Sequence, residues 1–261
     1  MSSRSPPGTR TDGPELVACA CGSAIPVEHA GLVLCPACLL RLALAPGLSA
    51  TIDHEPAARL VGPVGRGPHG VVHLAVRPDD DPQLVTVKVI EVATDPQRFC
   101  ERMRQTGIAL DSLRHPGIPE LVQIGVTGSG QPFVVAAYVA GSAFRDYLIR
   151  RRGEVSARVH LAAHLSSLVA DLHGHGIVHG SLNPTNIIVS DSDEGPFPFV
   201  LDTGIVAAIE GGVDGAKIAT QARDERQLHA LLAEVLSDLS GFVDGTESAS
   251  RLAEILARRA G

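Results

Sequence analysis

The pattern of apolar and polar positions divides the chain beyond residue 57 into short strands followed mainly by helices. Residues 61–76 and 84–92 are rich in β-branched side chains, and the turn cluster 79–82 joins them, so we predict a hairpin there. Residues 121–126 and 133–138 form a similar pair around a Gly-rich turn, which predicts a second hairpin. The first part of this region is therefore predicted to be mainly β.

Helical spacing begins between these hairpins and dominates the second half of the chain. Asp95 followed by Pro96 is typical of a helix N-terminus, because the carboxylate caps free amides and proline fits the first turn. Apolar residues then recur at helical spacing up to residue 113, and His115-Pro116-Gly117 ends the helix. The remaining predicted elements are helices at 144–151, 156–173, 224–239 and 248–259, with short strands at 187–189 and 199–201.

The composition is that of a folded protein and argues against two classes of partner. Of the 261 residues, 44% are apolar and 20% charged, so the chain can bury a core. The net charge of −7, the absence of Trp and an aromatic content of 3% argue against nucleic acid as a partner. No run of 18 apolar residues exists, so we expect no membrane span. The polar N-terminal stretch lacks the apolar core of a signal peptide, so we expect a cytoplasmic protein.

Changes in composition predict four segments along the chain. Residues 1–14 are rich in Ser, Pro and Gly and are predicted to be a disordered tail. Residues 15–45 form a small unit that carries four cysteines, and residues 46–56, with two prolines and a glycine, are predicted to be a linker. Residues 57–261 contain the predicted strands and helices and form the main part of the chain.

The small unit has the cysteine spacing of a structural zinc site. Its two pairs are Cys19 and Cys21, then Cys35 and Cys38. Four thiolates at such spacing suit tetrahedral Zn²⁺, and so small a unit has too little core to fold without a metal. The unit resembles a zinc ribbon, with residues 25–27 and 32–34 as its hairpin. The alternative is a set of buried cysteines that binds no metal.

A glycine-rich run precedes a lysine in an apolar strand. Residues 65–72 fit the pattern G-x-G-x-x-G-x-V inside the first predicted hairpin, where glycines let backbone amides approach phosphate groups closely. Lys88 ends the apolar run Val85-Thr86-Val87-Lys88, and burial of its ammonium group requires an anionic partner. Two alternatives stay open: an ordinary glycine turn, and an edge strand whose lysine reaches solvent.

At these residues the chain resembles the protein-kinase family. The run 65–72 matches the family's glycine-rich loop, and Val85-Thr86-Val87-Lys88 matches its V-A-I-K strand. Further segments match, in order, the loop after the third helix, the hinge, the catalytic loop, the D-F-G motif and the central helix of the large lobe. These segments are residues 115–118, 133–141, 172–186, 201–204 and 224–228.

The resemblance implies a two-lobed α+β kinase-like fold with a nucleotide site. The N-terminal lobe and hinge would span residues 57–141, and a shortened C-terminal lobe would span residues 142–261. Asn186 and Asp202 stand where the family holds Mg²⁺, and both offer the hard oxygen ligands that this cation needs. ATP would lie against seven residues: Gly65, Gly67, Gly70, Val72, Lys88, Ala137 and Val139.

The predicted catalytic loop departs from the family pattern. Ser181 replaces the aspartate of H-R-D and cannot act as a carboxylate base at neutral pH, a loss that typically lowers rates by about 10²–10⁴. Asn183 replaces the lysine of many serine/threonine kinases, and Thr203 replaces the phenylalanine of D-F-G. The helix glutamate that should pair with Lys88 would fall near Thr106, so the sequence assigns Lys88 no partner.

These departures predict a pseudokinase, a kinase-like domain that works as a regulatory or scaffold module with an unidentified protein partner. ATP with Mg²⁺ and a structural Zn²⁺ are its expected ligands. The segment between Gly204 and Asp224 lacks an Ala-Pro-Glu motif and is short for a peptide-docking segment, which favours the same interpretation. One alternative is an unorthodox active serine/threonine kinase that relies on Asp202 and Asn186. Another is an assembly protein that binds no nucleotide.

Overall fold

In the computed structural model, the cysteine-bearing unit contains a two-stranded antiparallel hairpin. Its strands are β1 (Leu16–Ala18) and β2 (Ala24–Pro26), which flank residues 19–23 in the chain. β2 overlaps the predicted strand at 25–27, but its partner is β1, and the predicted partner at 32–34 lies outside the described residues. The structure describes residues 16–18, 24–26, 58–77, 83–92, 94–152, 154–192, 195–211 and 220–237.

A five-stranded antiparallel sheet forms the upper half of the domain. Its strand order is β3-β4-β5-β7-β6, so both predicted hairpins supply neighbouring strands. The glycine-rich run is the turn between the first two of these strands, because the first predicted strand region is itself a hairpin. The strands are β3 (Arg59–Gly67), β4 (Gly70–Arg77), β5 (Gln83–Ile90), β6 (Leu121–Val126) and β7 (Pro132–Ala137).

Helix α1 (Pro96–Leu113) packs against this sheet and begins where the sequence predicts. The Asp95 carboxylate accepts hydrogen bonds from two backbone amides of the first turn, at 3.0 and 3.1 Å. Phe99 and Met103 are buried in one cluster with Ile90 of the sheet. The cap and the apolar face together fix the position of α1 beside β6 and β7.

The lower half of the domain is built around a buried helix. This helix, α3, has ten buried residues, which explains why it shows no strong polar stripe. A small antiparallel sheet, in the order β10-β9-β8, packs against α3 and carries the loops described below. The elements are β8 (Ser142–Ala143), α2 (Phe144–Arg150), α3 (Val155–Gly174), a 3₁₀ turn (Pro184–Asn186), β9 (Ile187–Ser192), β10 (Gly195–Val200), α4 (Ile205–Glu210) and α5 (Gln221–Val235).

Two of the differences between the predicted pattern and the lower half of the domain concern α4 and β10. Helix α4 was not predicted, because six residues are too few to display a helical period. Strand β10 begins at Gly195 rather than at residue 199, because its two prolines weaken the strand signal. The predicted tail, linker and last helix, at 1–14, 46–56 and 248–259, lie outside the described residues. None of the helices in the described ranges has the length and apolar character needed to cross a bilayer.

Gly70 closes the turn between β3 and β4 in a backbone conformation that excludes a side chain. Its φ is +150°, and a Cβ atom there would lie 1.8 Å from the carbonyl oxygen of Val89. We therefore expect Gly70→Ala to lower the free energy of unfolding by more than about 1 kcal/mol, measured by urea denaturation. Gly65→Ala is the control, because a Cβ there has no heavy atom within 4 Å. Equal losses in the two variants would contradict this account of the turn.

Candidate functional site

A cleft of about 600 Å³ lies between the upper sheet and the lower half of the domain. Its volume falls in the range typical of small-molecule sites. The structure brings eight of the nine residues predicted to hold nucleotide or magnesium to the wall of this cleft. They are Gly65, Gly67, Val72, Lys88, Ala137, Val139, Asn186 and Asp202. The ninth, Gly70, lies at the turn beside β5, where its role is to allow close packing against the backbone.

Lys88 finds its anionic partner in Asp202. The Lys88 Nζ donates a hydrogen bond to Asp202 Oδ2, and Lys88 is only 6% exposed. Removing an ammonium group from water is costly unless an opposite charge compensates it, so this ion pair is the condition for burying Lys88 in the sheet. Because Lys88 lies on β5 and Asp202 follows β10, the pair also links the upper and lower halves of the domain.

Asp202 adopts a left-handed backbone conformation with φ 62°. Residues other than glycine rarely adopt this backbone conformation, although aspartate tolerates it better than most. Asp202 is only partly buried, with 21% of its side chain exposed, whereas 8% of the Lys88 side chain is exposed. The carboxylate therefore keeps one side open to the cleft while it neutralises Lys88.

Helix α1 offers no carboxylate to Lys88 and instead packs against the segment after Asp202. Thr106 of α1 lies so close to Gly204 that a Cβ added to this glycine would be 2.6 Å from Thr106 Cγ2. Arg102 of the same helix donates hydrogen bonds to the carbonyl oxygens of Ala208, at 3.1 Å, and of Gly211. The short helix α4 is thereby held beneath α1.

The glycine-rich loop lies close to the ion pair of Lys88 and Asp202. A Cβ added to Gly67 would be 3.9 Å from the Lys88 Nζ, so the loop backbone occupies the space next to the ammonium group. His69, at the tip of the loop, is half-buried, and burial together with the positive charge of Lys88 lowers its pKa.

A buried carboxylate holds the backbone of the predicted catalytic loop. Asp224, on α5, is fully buried, and its two oxygens accept hydrogen bonds from the backbone N–H groups of His179 and Gly180, both at 2.7 Å. Gln227, one turn later, accepts the N–H of Leu182 at 2.9 Å. This role of Asp224 and Gln227 was not predicted from the sequence, in which residues 224–228 resemble only the start of a helix. An aspartate and a glutamine three residues apart at a helix start were the available signal.

His179 is buried between two backbone segments and is held as one neutral tautomer. Its Nδ1 accepts the N–H of Ser181 at 3.1 Å, so its Nε2 carries the proton and donates it to the carbonyl oxygen of Leu201 at 2.7 Å. Burial lowers the pKa of His179, which agrees with this arrangement. The His179 ring therefore connects the predicted catalytic loop to the segment that carries Asp202.

Ser181 occupies the position where the sequence analysis placed the missing aspartate. Its carbonyl oxygen accepts hydrogen bonds from the side-chain amides of Asn183, at 3.0 Å, and Asn186, at 2.9 Å. Asn183 also caps the 3₁₀ turn by accepting the N–H of Thr185 at 2.9 Å, so its side chain is committed to the loop itself. Among the described residues that line the cleft, the only carboxylates are Asp202 and Asp146 on α2.

The four cysteines predicted to bind zinc, Cys19, Cys21, Cys35 and Cys38, lie outside the described residues. Within the described part of the chain, no group of three or more potential metal-binding His, Cys, Asp or Glu side chains occurs. The described Cys100 is buried on α1, where its thiol donates to the carbonyl oxygen of Gly125 at 3.5 Å and burial raises its pKa. Cys100 is therefore a packed thiol, in agreement with its isolated place in the sequence.

Because Lys88 is buried, its interaction with Asp202 should contribute measurably to the free energy of unfolding. Removing either charge leaves the other with less compensation, so we expect Lys88→Met and Asp202→Asn each to lower the free energy of unfolding by about 3 kcal/mol. The double variant should lose less than the sum of the two, because it leaves neither charge unpaired.

The exposed pair Arg145–Glu234, with an N–O distance of 2.9 Å, provides the control for this cycle. Its coupling energy should be below about 1 kcal/mol in the same double-mutant cycle, measured by urea denaturation. Additive losses in the Lys88–Asp202 cycle would mean that the ion pair does not stabilise the fold.

Comparison with known proteins finds relatives of this chain among bacterial serine/threonine-protein kinases. The serine/threonine-protein kinase PknK of Mycobacterium tuberculosis is 34% identical over 158 residues, which is 59% of this chain and 13% of PknK. The serine/threonine-protein kinase pkn3 of Myxococcus xanthus is 30% identical over 155 residues, which is 58% of this chain and 28% of that protein. The chain therefore matches less than a third of the length of either relative.

A solved structure and a family profile extend these matches. The PknI kinase domain of Mycobacterium tuberculosis has a TM-score of 0.51 and 22% identity, over 84% of this chain and 89% of that domain, which shows a shared fold. The family described as protein tyrosine and serine/threonine kinase matches residues 59–220, more than half of the chain. The chain therefore belongs to the protein tyrosine and serine/threonine kinase family.

Proposed function

We propose that this chain binds ATP with Mg²⁺ in the cleft, transfers phosphoryl groups to protein very slowly or not at all, and works as a regulatory or scaffold module. The observation that carries the proposal is the predicted catalytic loop. Its framework is complete, with Asp224 and His179 in place, while Ser181 stands where the reaction needs a carboxylate.

Three side chains on the cleft wall support binding. Lys88 offers an ammonium group for phosphate, Asp202 offers a carboxylate for Mg²⁺, and Asn186 offers an amide oxygen. The amide nitrogen of Asn186 already donates to the Ser181 carbonyl, so its oxygen is the atom left for a cation. Hard oxygen donors of this kind fit Mg²⁺, which when bound would neutralise charge on the phosphates.

The residues beside these groups argue against rapid transfer to a protein hydroxyl. The Ser181 hydroxyl accepts a hydrogen bond from Asn183 at 3.2 Å, and a neutral hydroxyl cannot take a proton from an acceptor at neutral pH. Asn183 is neutral and caps the neighbouring turn, so it supplies no cation. Asp202 is engaged by Lys88, which leaves the position of the base without a carboxylate.

Binding and transfer can be measured on the same protein. We expect isothermal titration calorimetry to show ATP binding that weakens when EDTA removes Mg²⁺, and we expect Asp202→Asn to weaken it at least tenfold, because an ion-assisted contact is worth about 1.5–3 kcal/mol. Radiolabelled ATP should give no autophosphorylation and no transfer to an acceptor protein above background. Ser181→Asp should not restore a good rate, because residues that act as a unit are non-additive.

Asp191→Asn is the control for the loss of an aspartate. Asp191 lies on β9 and pairs with Arg151 at 3.0 Å, outside the cleft, so this variant should bind ATP like the parent protein. Absence of ATP binding in the parent protein would favour the assembly protein that binds no nucleotide. Transfer by the parent protein that Asp202→Asn abolishes would refute the pseudokinase proposal.

Active phosphotransfer is the second candidate function. It is favoured by the retained Asp202 and Asn186 in one cleft, and by relatives whose names describe them as serine/threonine-protein kinases. Positioning and electrostatic stabilisation supply most of the catalysis of phosphoryl transfer, so a protein lacking the base can retain a trace of activity. The radiolabel experiment separates this candidate from the first.

We also propose that Cys19, Cys21, Cys35 and Cys38 bind one structural Zn²⁺. The spacing of the two pairs supports the proposal. The hairpin of β1 and β2 adds support, because Cys19 and Cys21 lie between its strands in the chain. Such a site would give residues 15–45 folding energy that so small a segment rarely obtains from its core alone.

Elemental analysis of the purified full chain should find one zinc per molecule. We expect the Cys35→Ser plus Cys38→Ser variant to lose this zinc, because two of four thiolate ligands are removed. Cys100→Ser is the matched control and should retain it, since Cys100 is buried on α1. Zinc in the double variant equal to that in the parent would disprove the site.

A further inference from the structure

His69 lies in the two-residue turn that joins β3 to β4, at the tip of the glycine-rich loop. Gly67 and Gly70 pair on either side of this turn, and the backbone N–H of Glu91 donates to the carbonyl oxygen of His69 at 3.0 Å. The side chain of Glu91 also pairs with Arg66, on the strand that enters the turn. The turn is therefore held against the end of β5, which fixes the position from which the side chain of His69 extends.

The charged groups that act on His69 form two ion pairs. One is the pair of Lys88 on β5 with Asp202. In the other, Arg223 of α5 donates to both carboxylate oxygens of Glu210 on α4, at 3.0 and 2.9 Å. Because two positive and two negative charges balance, burial decides the protonation state and lowers the pKa of His69. The ring of the free protein is therefore neutral near pH 7.

The nitrogen atoms of the His69 ring are available to a ligand. Among the residues that the structure describes, none forms a hydrogen bond or an ion pair with this ring. Gly67, two residues earlier, lies beside the ammonium group of Lys88, because a Cβ added there would be 3.9 Å from the Lys88 Nζ. The ring therefore lies at the phosphate end of the proposed nucleotide site.

We propose that His69 is an additional phosphate-binding group of the cleft, and that its ring takes up a proton when nucleotide binds. The proposal rests on the proposed nucleotide site, in which Lys88 and Asp202 set where the phosphates lie. The net negative charge that ATP retains with Mg²⁺ disturbs the balance of the two ion pairs and favours the imidazolium. The imidazolium offers two N–H donors to phosphate, whereas the neutral ring offers one. Backbone amides of the loop do not titrate, so this pH dependence comes from the side chain.

The direction of the pH dependence follows from the form that binds better. The pKa of His69 lies below its ordinary value in the free protein and rises when phosphate is bound. ATP therefore binds more tightly as the pH falls from the pKa of the complex toward that of the free protein, and the affinity levels off below both. A rise of one pKa unit corresponds to at most about a tenfold change in the dissociation constant.

The test is calorimetry of ATP binding to the full chain with saturating Mg²⁺, at about pH 8 and about pH 6. The measured quantity is the ratio of the two dissociation constants, compared between variants, so that titration of the nucleotide cancels. We expect the ratio of the parent to exceed that of His69→Gln about fivefold, because glutamine does not titrate. His69→Arg should bind ATP tightly at both pH values, since its charge is fixed. Buffers of different ionisation enthalpy should show proton uptake in the parent and none in either variant.

His73→Gln is the matched control. His73 is half-buried on β4 and burial also lowers its pKa, but the charge that acts on it is that of Glu91 rather than Lys88 or Asp202. Its ratio should equal that of the parent. ATP binding with the same ratio in the parent and in His69→Gln would overturn the role of His69 and leave the proposed nucleotide site standing. Absence of ATP binding by the parent at both pH values would overturn both.

Discussion

The ion pair between Lys88 and Asp202 is the constraint from which much of the site follows. Lys88 sits on an inner strand of the sheet, where its ammonium group has almost no contact with water. Helix α1 has the neutral Thr106 where a carboxylate could have faced the lysine, so the negative charge comes from Asp202 in the segment after β10. Asp202 reaches Lys88 from a left-handed backbone, and the residues that follow it, Gly204 and the start of α4, pack against α1. One ion pair thus lies where β5, the segment after β10 and α1 come together.

The framework of the predicted catalytic loop is independent of the residue that the chemistry would use. Asp224 and Gln227 hold the loop through its backbone amides, and His179 joins it to Leu201. None of these contacts uses the side chain of Ser181. Replacement of the aspartate by serine therefore removes a proton acceptor without disturbing the loop. The contacts that hold this loop therefore do not depend on a carboxylate at position 181, and the chain matches the kinase family with serine there.

Local signals account for most of what the sequence predicts correctly. The strands, α1 with its Asp95 cap, and the glycine turn all follow from patterns within about twenty residues. The anionic partner of Lys88 lies 114 residues away in the chain. The family pattern expects the partner near position 106, where this chain has a threonine, so no partner could be assigned from the sequence. The role of Asp224 was missed for a related reason, because its partners are 44 and 45 residues distant. Long-range pairing of buried charges is decided by tertiary packing, which local periodicity does not encode.

The contact between Thr106 and Gly204 restricts which residues these two positions can hold. The Cα of Gly204 lies directly against the threonine methyl, so the two positions are sterically interlocked. A glutamate introduced at position 106 would meet this backbone and would compete with Asp202 for a lysine that is already neutralised. A glutamate at position 106 could therefore pair with Lys88 only if the backbone at Gly204 shifted and Asp202 gave up the lysine. Positions 88, 106, 202 and 204 are in this sense one coupled unit, in which a change at one position requires a change at another.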